Sequence, residues 1–229
     1  MLILLMSKGG FGWFEVIYFV LAALINIFLS LPVHECAHGF IASKLGDNTA
    51  KYQGRLTLNP FAHIDWTGAL MMLLVGFGWA KPVPVLMQNF RKPKAHMALT
   101  ALAGPLSNIL MALIFLFLAN TMLVVMTFIQ VEMVIYVLAF IMSVLFIAAD
   151  LNVYLAVFNL IPIPPLDGSR ILNAFLSDRA YYTLMRFERY TFLIVVAVVY
   201  IFGDALDWLT STILSGLTFV AQLPLLSLM

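Results

Sequence analysis

Charge is what this sequence has least of. Only 10% of its 229 residues are Asp, Glu, Lys or Arg, against about a quarter in a soluble globular domain, while 63% are hydrophobic. So few solvated groups cannot keep the chain in water, and it reads as an integral membrane protein. Cysteine is nearly absent too: Cys36 stands alone, which excludes an internal disulfide framework and a cysteine-based zinc cluster. A formal net charge of +1 offers no excess of positive groups to displace counterions from phosphates, which argues against a nucleic-acid partner. No basic leader precedes the first apolar run and no small-residue cleavage site follows it, so no removable signal peptide is expected and Met1 reads as the mature start. No repeat, low-complexity tract or domain-separating linker breaks the chain, and one domain over residues 1–229 is expected.

Long apolar runs, by contrast, are plentiful. Residues 14–40, 98–129, 134–160, 182–202 and 206–228 are each long enough for a ~30 Å hydrocarbon core at 1.5 Å per residue. They predict an all-α polytopic membrane fold with five transmembrane helices. Residues 66–79 are too short to cross and carry Gly68, Gly76 and Gly78, which suits a re-entrant segment that dips in and returns. On that arrangement Lys44, Lys51, Arg55, Lys81, Arg91, Lys92, Lys94, Arg170, Arg179, Arg186 and Arg189 share one face, eleven of the twelve basic residues. By the positive-inside rule that face is cytoplasmic, with Lys8, Glu132, Asp204 and Asp207 outside, the N-terminus outside and the C-terminus inside. Two stretches near this face read as short extended hairpins. In residues 51–58, Tyr52, Gly54, Leu56 and Leu58 alternate with Gln53, Arg55 and Thr57, while Pro82 and Pro84 confine residues 79–85 to an edge.

Ionisable groups inside an apolar run cost most, yet residues 29–46, LSLPVHECAHGFIASKLG, place three of them there. His34, Glu35 and His38 form H-E-x-x-H on a predicted helix, where positions i and i+4 share a face and both imidazoles reach one metal ion. In zinc peptidases with this motif the glutamate is no ligand but the acid/base that takes a proton from the attacking water and returns it to the leaving amine. With four His and four Glu in the chain, random order yields the pattern roughly once in a thousand. Cys36 points to the opposite face and reads as packing. Pro32 either tilts the ligand-bearing turn or is a tolerated membrane proline.

Catalytic zinc usually takes three protein ligands and a water, so two histidines leave one place to fill. His63 and His96 read as loop or interface residues. Asp167 stands out in NLIPIPPLDGSRIL, where Pro162, Pro164 and Pro165 end the preceding helix. Taken alone, Asp167 serves equally well as the N-cap of a helix beginning at Gly168.

The H-E-x-x-H helix, the A-G-P-x-x-N stretch of Ala103, Gly104, Pro105 and Asn108, and the later N-x-x-P-x-P-x-L-D-G pattern ending at Asp167 and Gly168 together resemble the site-2 protease family of intramembrane zinc metalloproteases. GRLTLNPFAHIDWTG followed by GFGWAKPVPV is similar to its small prokaryotic members without an inserted PDZ domain. The resemblance covers about residues 20–176. It implies one Zn2+ held by His34, His38 and Asp167, with Glu35 as catalytic acid/base and Asn159 and Asn108 as candidates for contacting substrate or the oxyanion. It implies a catalytic core of about residues 14–176, with accessory helices at about 182–228 outside the match. It further implies a prokaryotic cell membrane, an active site toward the cytoplasmic side, and a transmembrane protein substrate cut in regulated intramembrane proteolysis.

Hydrolysis there needs a hydrated cavity, for which Asn26, Asn108, Asp150, Asn152 and Asn159 are candidate lining residues; each serves equally as an interhelical hydrogen-bonding group, the reading favoured for Asn26. Asp150 is a buried carboxylate that the motifs leave unexplained. Either extended stretch can pair with an unwound substrate as an added strand or stay an ordinary surface hairpin. The alternative functional class is a catalytically silent, zinc-holding membrane scaffold or transporter, against which Glu35 counts because a structural site has no use for it.

Overall fold

The computed structural model describes residues 12–75 and 78–225; the expectations for the leader, Lys8, Gly76 and the end of the last span fall outside the described residues. The chain forms α1 (Trp13–Leu45), α2 (Thr49–Tyr52), α3 (Trp66–Val75), α4 (Pro93–Met126), α5 (Glu132–Asn159), α6 (Asp167–Leu172), α7 (Asp178–Met185) and α8 (Thr191–Gln222). Helices α1, α4, α5 and α8 are long and apolar enough to cross a membrane. Helices α4 and α5 pack as an antiparallel pair, and α1 and α8 each lie against both. Alanines 22, 23, 112, 119, 148 and 149 sit at this centre with Phe19, Phe115 and Leu116. Small side chains let apolar helices approach closely where lipid supplies no hydrophobic drive for association.

Two expectations are corrected. The described residues hold four candidate spans, not five, because residues 191–202 and 206–222 of the two expected stretches lie in one continuous helix, α8, while residues 182–185 belong to α7. Gly203, Asp204 and Asp207 suggest a turn, but one helical glycine costs only about 1 kcal/mol and no proline interrupts the backbone there. The described residues also contain no strand, only an isolated antiparallel bridge between Ile64 and Ala80. Residues 51–58 begin inside α2 rather than in a strand. Tyr52 and Gln53 donate to the carbonyls of Asn48 and Thr49 at 2.9 and 3.1 Å, and Asp47 accepts from the Thr49 N–H at 3.1 Å. Local helix-start chemistry outweighs an alternation that has no partner strand.

After α3 the chain comes back on itself: a Cβ on Gly68 would overlap the Trp79 backbone, and one on Gly78 would overlap the Gly68 carbonyl. A non-helical strap, residues 79–86, follows. It is pinned early by Lys81 N–H on the His63 carbonyl at 2.8 Å and late by Leu86 N–H on Asp47 Oδ2 at 2.7 Å. After α5, Pro162, Pro164 and Pro165 bring the chain back so tightly that a Cβ on Gly168 would overlap the carbonyls of Leu160 and Ile161. Lys94, in the first turn of α4, pairs with Asp178 at 2.8 Å and donates to the Leu176 carbonyl at 2.8 Å. The start of α4 and the α6–α7 connection therefore lie side by side.

Candidate metal centre

One turn of α1 carries His34 and His38, and a buried triangle forms between them and Asp167 from α6. Their Nε2 atoms are 3.1 Å apart. Asp167 Oδ2 lies 3.3 Å from His34 Nε2 and 3.2 Å from His38 Nε2. Asp167 does not cap its helix: the cap position is Leu166, with no side-chain cap bond. Its carboxylate faces the imidazoles instead.

The protonation pattern shows what this triangle can hold. His38 Nδ1 is 2.7 Å from the Thr100 carbonyl, which can only accept, so Nδ1 carries the proton and Nε2 of the neutral ring carries the lone pair. With the His34 proton likewise on Nδ1, three electron-rich atoms about 3.2 Å apart would face one another, an arrangement that a shared cation stabilises. A tetrahedral zinc site with bonds of about 2.0–2.1 Å has ligand-to-ligand edges of about 3.3–3.4 Å, close to the 3.1–3.3 Å found here. The three side chains could therefore hold one zinc ion, with the fourth position left for water or substrate. The carbonyl behind His38 is the outer partner that typically orients a metal-binding imidazole. His34 Nδ1, also buried, has no partner among the described residues.

Gly104 of the A-G-P stretch forms the back wall. A Cβ there would overlap His38 Nε2 and Cε1 and His34 Cε1, so α4 reaches the imidazoles only because this residue has no side chain. Asn108 is buried one turn further along α4 and so shares the Gly104 face. Asn159 is the last residue of α5, partly buried, at the start of the proline turn that leads to Asp167.

Glu35, beside the triangle on α1, is buried, and its Oε2 accepts the Val83 N–H at 2.8 Å. The strap lies close against α1 at this point: a Cβ on Gly39 would come within 3.2–3.4 Å of Val83, Leu56 and Ala50 side-chain atoms. Nothing in side-chain identity signals this contact, because the donor is backbone; the one sequence clue is the P-V-P pattern, in which Val83 alone has an N–H.

The other singled-out residues lie elsewhere. His63 is a loop residue but fully buried, with Nε2 2.8 Å from the Thr57 carbonyl, and it supports the strap rather than the triangle. His96 packs edge-on against Phe90. Asn26 and Asn152 join α1 to α5: Asn152 donates to Asn26 Oδ1 and, at 3.0 Å, to Ser30 Oγ, and Asn26 donates to the Ala148 carbonyl at 3.3 Å. Asp150 lies within electrostatic reach of Asp207 on α8. Cys36 is partly buried and free.

Residues 22–202 match the model of peptidase family M50. The chain is 39% identical over 175 residues to YwhC of Bacillus subtilis, named as a zinc metalloprotease, covering 76% of this chain and 78% of YwhC. It is 29% identical over 174 residues to Rip2 of Mycolicibacterium smegmatis, covering 74% and 63% of the two chains, and 26% identical over 164 residues to MJ0611 of Methanocaldococcus jannaschii, covering 70% and 73%. Both are also named as zinc metalloproteases. No solved structure matches the chain.

Proposed function

The chain belongs to peptidase family M50, and from that premise we propose that this integral membrane zinc metalloprotease hydrolyses a peptide bond within or near a transmembrane segment of another membrane protein, in regulated intramembrane proteolysis. The observation that carries the reading is the buried triangle of His34 Nε2, His38 Nε2 and Asp167 Oδ2 with edges of 3.1–3.3 Å and a carboxylate, Glu35, beside it. In the proposal His34, His38 and Asp167 hold the metal, and Glu35 takes the proton of the attacking water and passes it to the leaving amine. Bound zinc would polarise the scissile carbonyl and make water reactive at neutral pH. The Asp167 carboxylate offsets part of the cation's charge in surroundings that solvate ions poorly. Asn108 and Asn159 remain candidates for contacting substrate or the oxyanion.

A helical substrate cannot be cut while its carbonyls bond internally, so its transmembrane segment must unwind before it reaches Glu35. Residues 79–86 are the non-helical backbone lying against Glu35, which favours them over residues 51–58 as the segment beside which the unwound substrate lies. For membrane placement, α3 is proposed to re-enter rather than cross, keeping the basic face and the metal centre toward the cytoplasm. Four spans then place the end of α8 on the outer side, together with the start of α1. Core and accessory α8 are proposed to form a single membrane domain.

The test is bound zinc together with cleavage of a defined transmembrane substrate by wild type, Glu35→Gln and Asp167→Ala. Glu35→Gln is expected to keep zinc while cleavage drops by about 10²-fold or more, and Asp167→Ala is expected to lose zinc. Equal cleavage by all three proteins would end the protease reading.

A further inference from the structure

The contact between Glu35 and the strap has a partner on its far side. Arg55 Nη2 donates to the carbonyls of Lys81 and Pro82 at 2.7 and 3.1 Å. The peptide joining Pro82 to Val83 is trans, so its C=O and N–H point in opposite directions. One end of that peptide is gripped by a guanidinium, and the other end donates to Glu35 Oε2 at 2.8 Å. Arg55 is itself set by the turn behind it, where its N–H donates to the Ala50 carbonyl at 2.8 Å and Gly54 takes a φ of +67° that disfavours a side chain. Because Pro82 and Pro84 have no N–H, Val83 supplies the one backbone donor at that point of the strap.

We propose that Arg55 is a positioning residue, which by holding the Lys81 and Pro82 carbonyls aims the Val83 N–H at one oxygen of Glu35 and leaves the other oxygen for the reacting water. This rests on Glu35 being the acid/base of the proposed peptidase. A cation on the carbonyl end of a peptide strengthens the hydrogen bond at its N–H end, because polarised hydrogen bonds in series reinforce each other. The strap does not depend on Arg55 for its place, since His63 holds it at Lys81 and Asp47 holds it at Leu86. Loss of Arg55 therefore frees one peptide plane rather than the whole segment.

The experiment compares wild type, Arg55→Gln, Arg55→Met and Arg55→Lys, all zinc-loaded, in kcat and KM for a defined transmembrane substrate, in zinc content, and in hydrogen exchange of the Val83 amide. Misplacing a reacting group by about 1 Å costs around 10²-fold. Arg55→Gln and Arg55→Met are expected to lower kcat about 10- to 100-fold, leave KM within about threefold and zinc content unchanged, and speed Val83 exchange. Arg55→Lys, which still offers a cationic donor to the carbonyls, is expected to recover most of kcat. A role confined to fold stability would lower the yield of folded enzyme or move KM and kcat together, with no rescue by lysine. Active wild type with unchanged kcat in Arg55→Met, or with unchanged Val83 exchange, overturns the inference alone. A wild type that holds zinc and cleaves nothing overturns the peptidase reading and this inference with it.

Discussion

Replacing Gly104 with alanine separates what helix formation wants from what the metal centre needs. In an ordinary helix interior the change stabilises by about 1 kcal/mol. Here the new methyl would occupy the volume of the His38 and His34 rings. Adding a methyl to a filled site costs typically about 1–3 kcal/mol. In the metal-free protein the imidazoles can relieve much of this by rotating, so that gain and cost nearly cancel. With zinc bound they cannot rotate without leaving the metal, and the cost falls on the loaded state. At about 1.4 kcal/mol per decade, 1–3 kcal/mol weakens zinc binding about 5- to 140-fold. Competition against a chelator of known affinity measures the loss, and denaturant unfolding of the metal-free protein, expected within about 1 kcal/mol of wild type, shows that the fold survives. Wild-type zinc affinity in a folded Gly104→Ala protein would falsify the close approach of α4 to the two imidazoles.

Two further outcomes follow from polar contacts outside the triangle. Asn152→Leu removes the donor shared by Asn26 Oδ1 and Ser30 Oγ; each buried polar atom left unpaired costs about 1–3 kcal/mol, so unfolding in detergent should show a loss in that range or above it, and a neutral result would mean the clamp contributes nothing. At Asp47, burial alone would push the carboxyl up, but the Thr49 hydroxyl, the Asn89 amide and the backbone N–H groups of Leu86 and Thr49 hold it below its ordinary value. A depressed carboxyl contributes stability above its unfolded value of about 3.9 and loses it as pH falls through the lower folded value. Protection of the Leu86 amide against exchange should hold from neutral pH down to about 4, fail below that, and lose this acid dependence in Asp47→Asn. A loss of protection between pH 5 and 7 would contradict the assignment.

What sequence could and could not convey divides along a physical line. His34 and His38 announce themselves because helical spacing alone puts i and i+4 on one face, and Asp167 is visible through the prolines and the L-D-G that follow them. Their convergence within 3.3 Å needed the chain path through α4 and α5. Hydropathy found every long span yet divided α8, since a window average responds to Gly203, Asp204 and Asp207 although no backbone bond is broken there. The strand expected at residues 51–58 failed because alternation has meaning only beside a partner. Least visible were the backbone contributions, Thr100 C=O behind His38 and Val83 N–H on Glu35, since any residue type except proline at the donor could supply them.

The polar residues of the spans acquire a reason when the paths to the triangle are followed. Two separate elements must present the triangle's side chains at the same depth: α1 brings the imidazoles, and α5 leads into the proline turn that brings Asp167. Helices held together by apolar contact alone can slide, because lipid and leucine solvate one another equally well. Asn26 and Ser30 on α1 and Asn152 on α5 oppose such sliding, since a one-residue shift would leave buried amides unpaired. The clamp also lies where α1 departs from regular winding, at the π-turn Asn26–Ser30, a feature common near functional sites. From Ser30 to His34 is one turn, about 6 Å of rise, and from Asn152 to the end of α5 about 10 Å. Register fixed at the clamp is therefore transmitted through about one turn of one helix and two of the other before it reaches the triangle, which is how groups costly to bury can serve a site they do not touch.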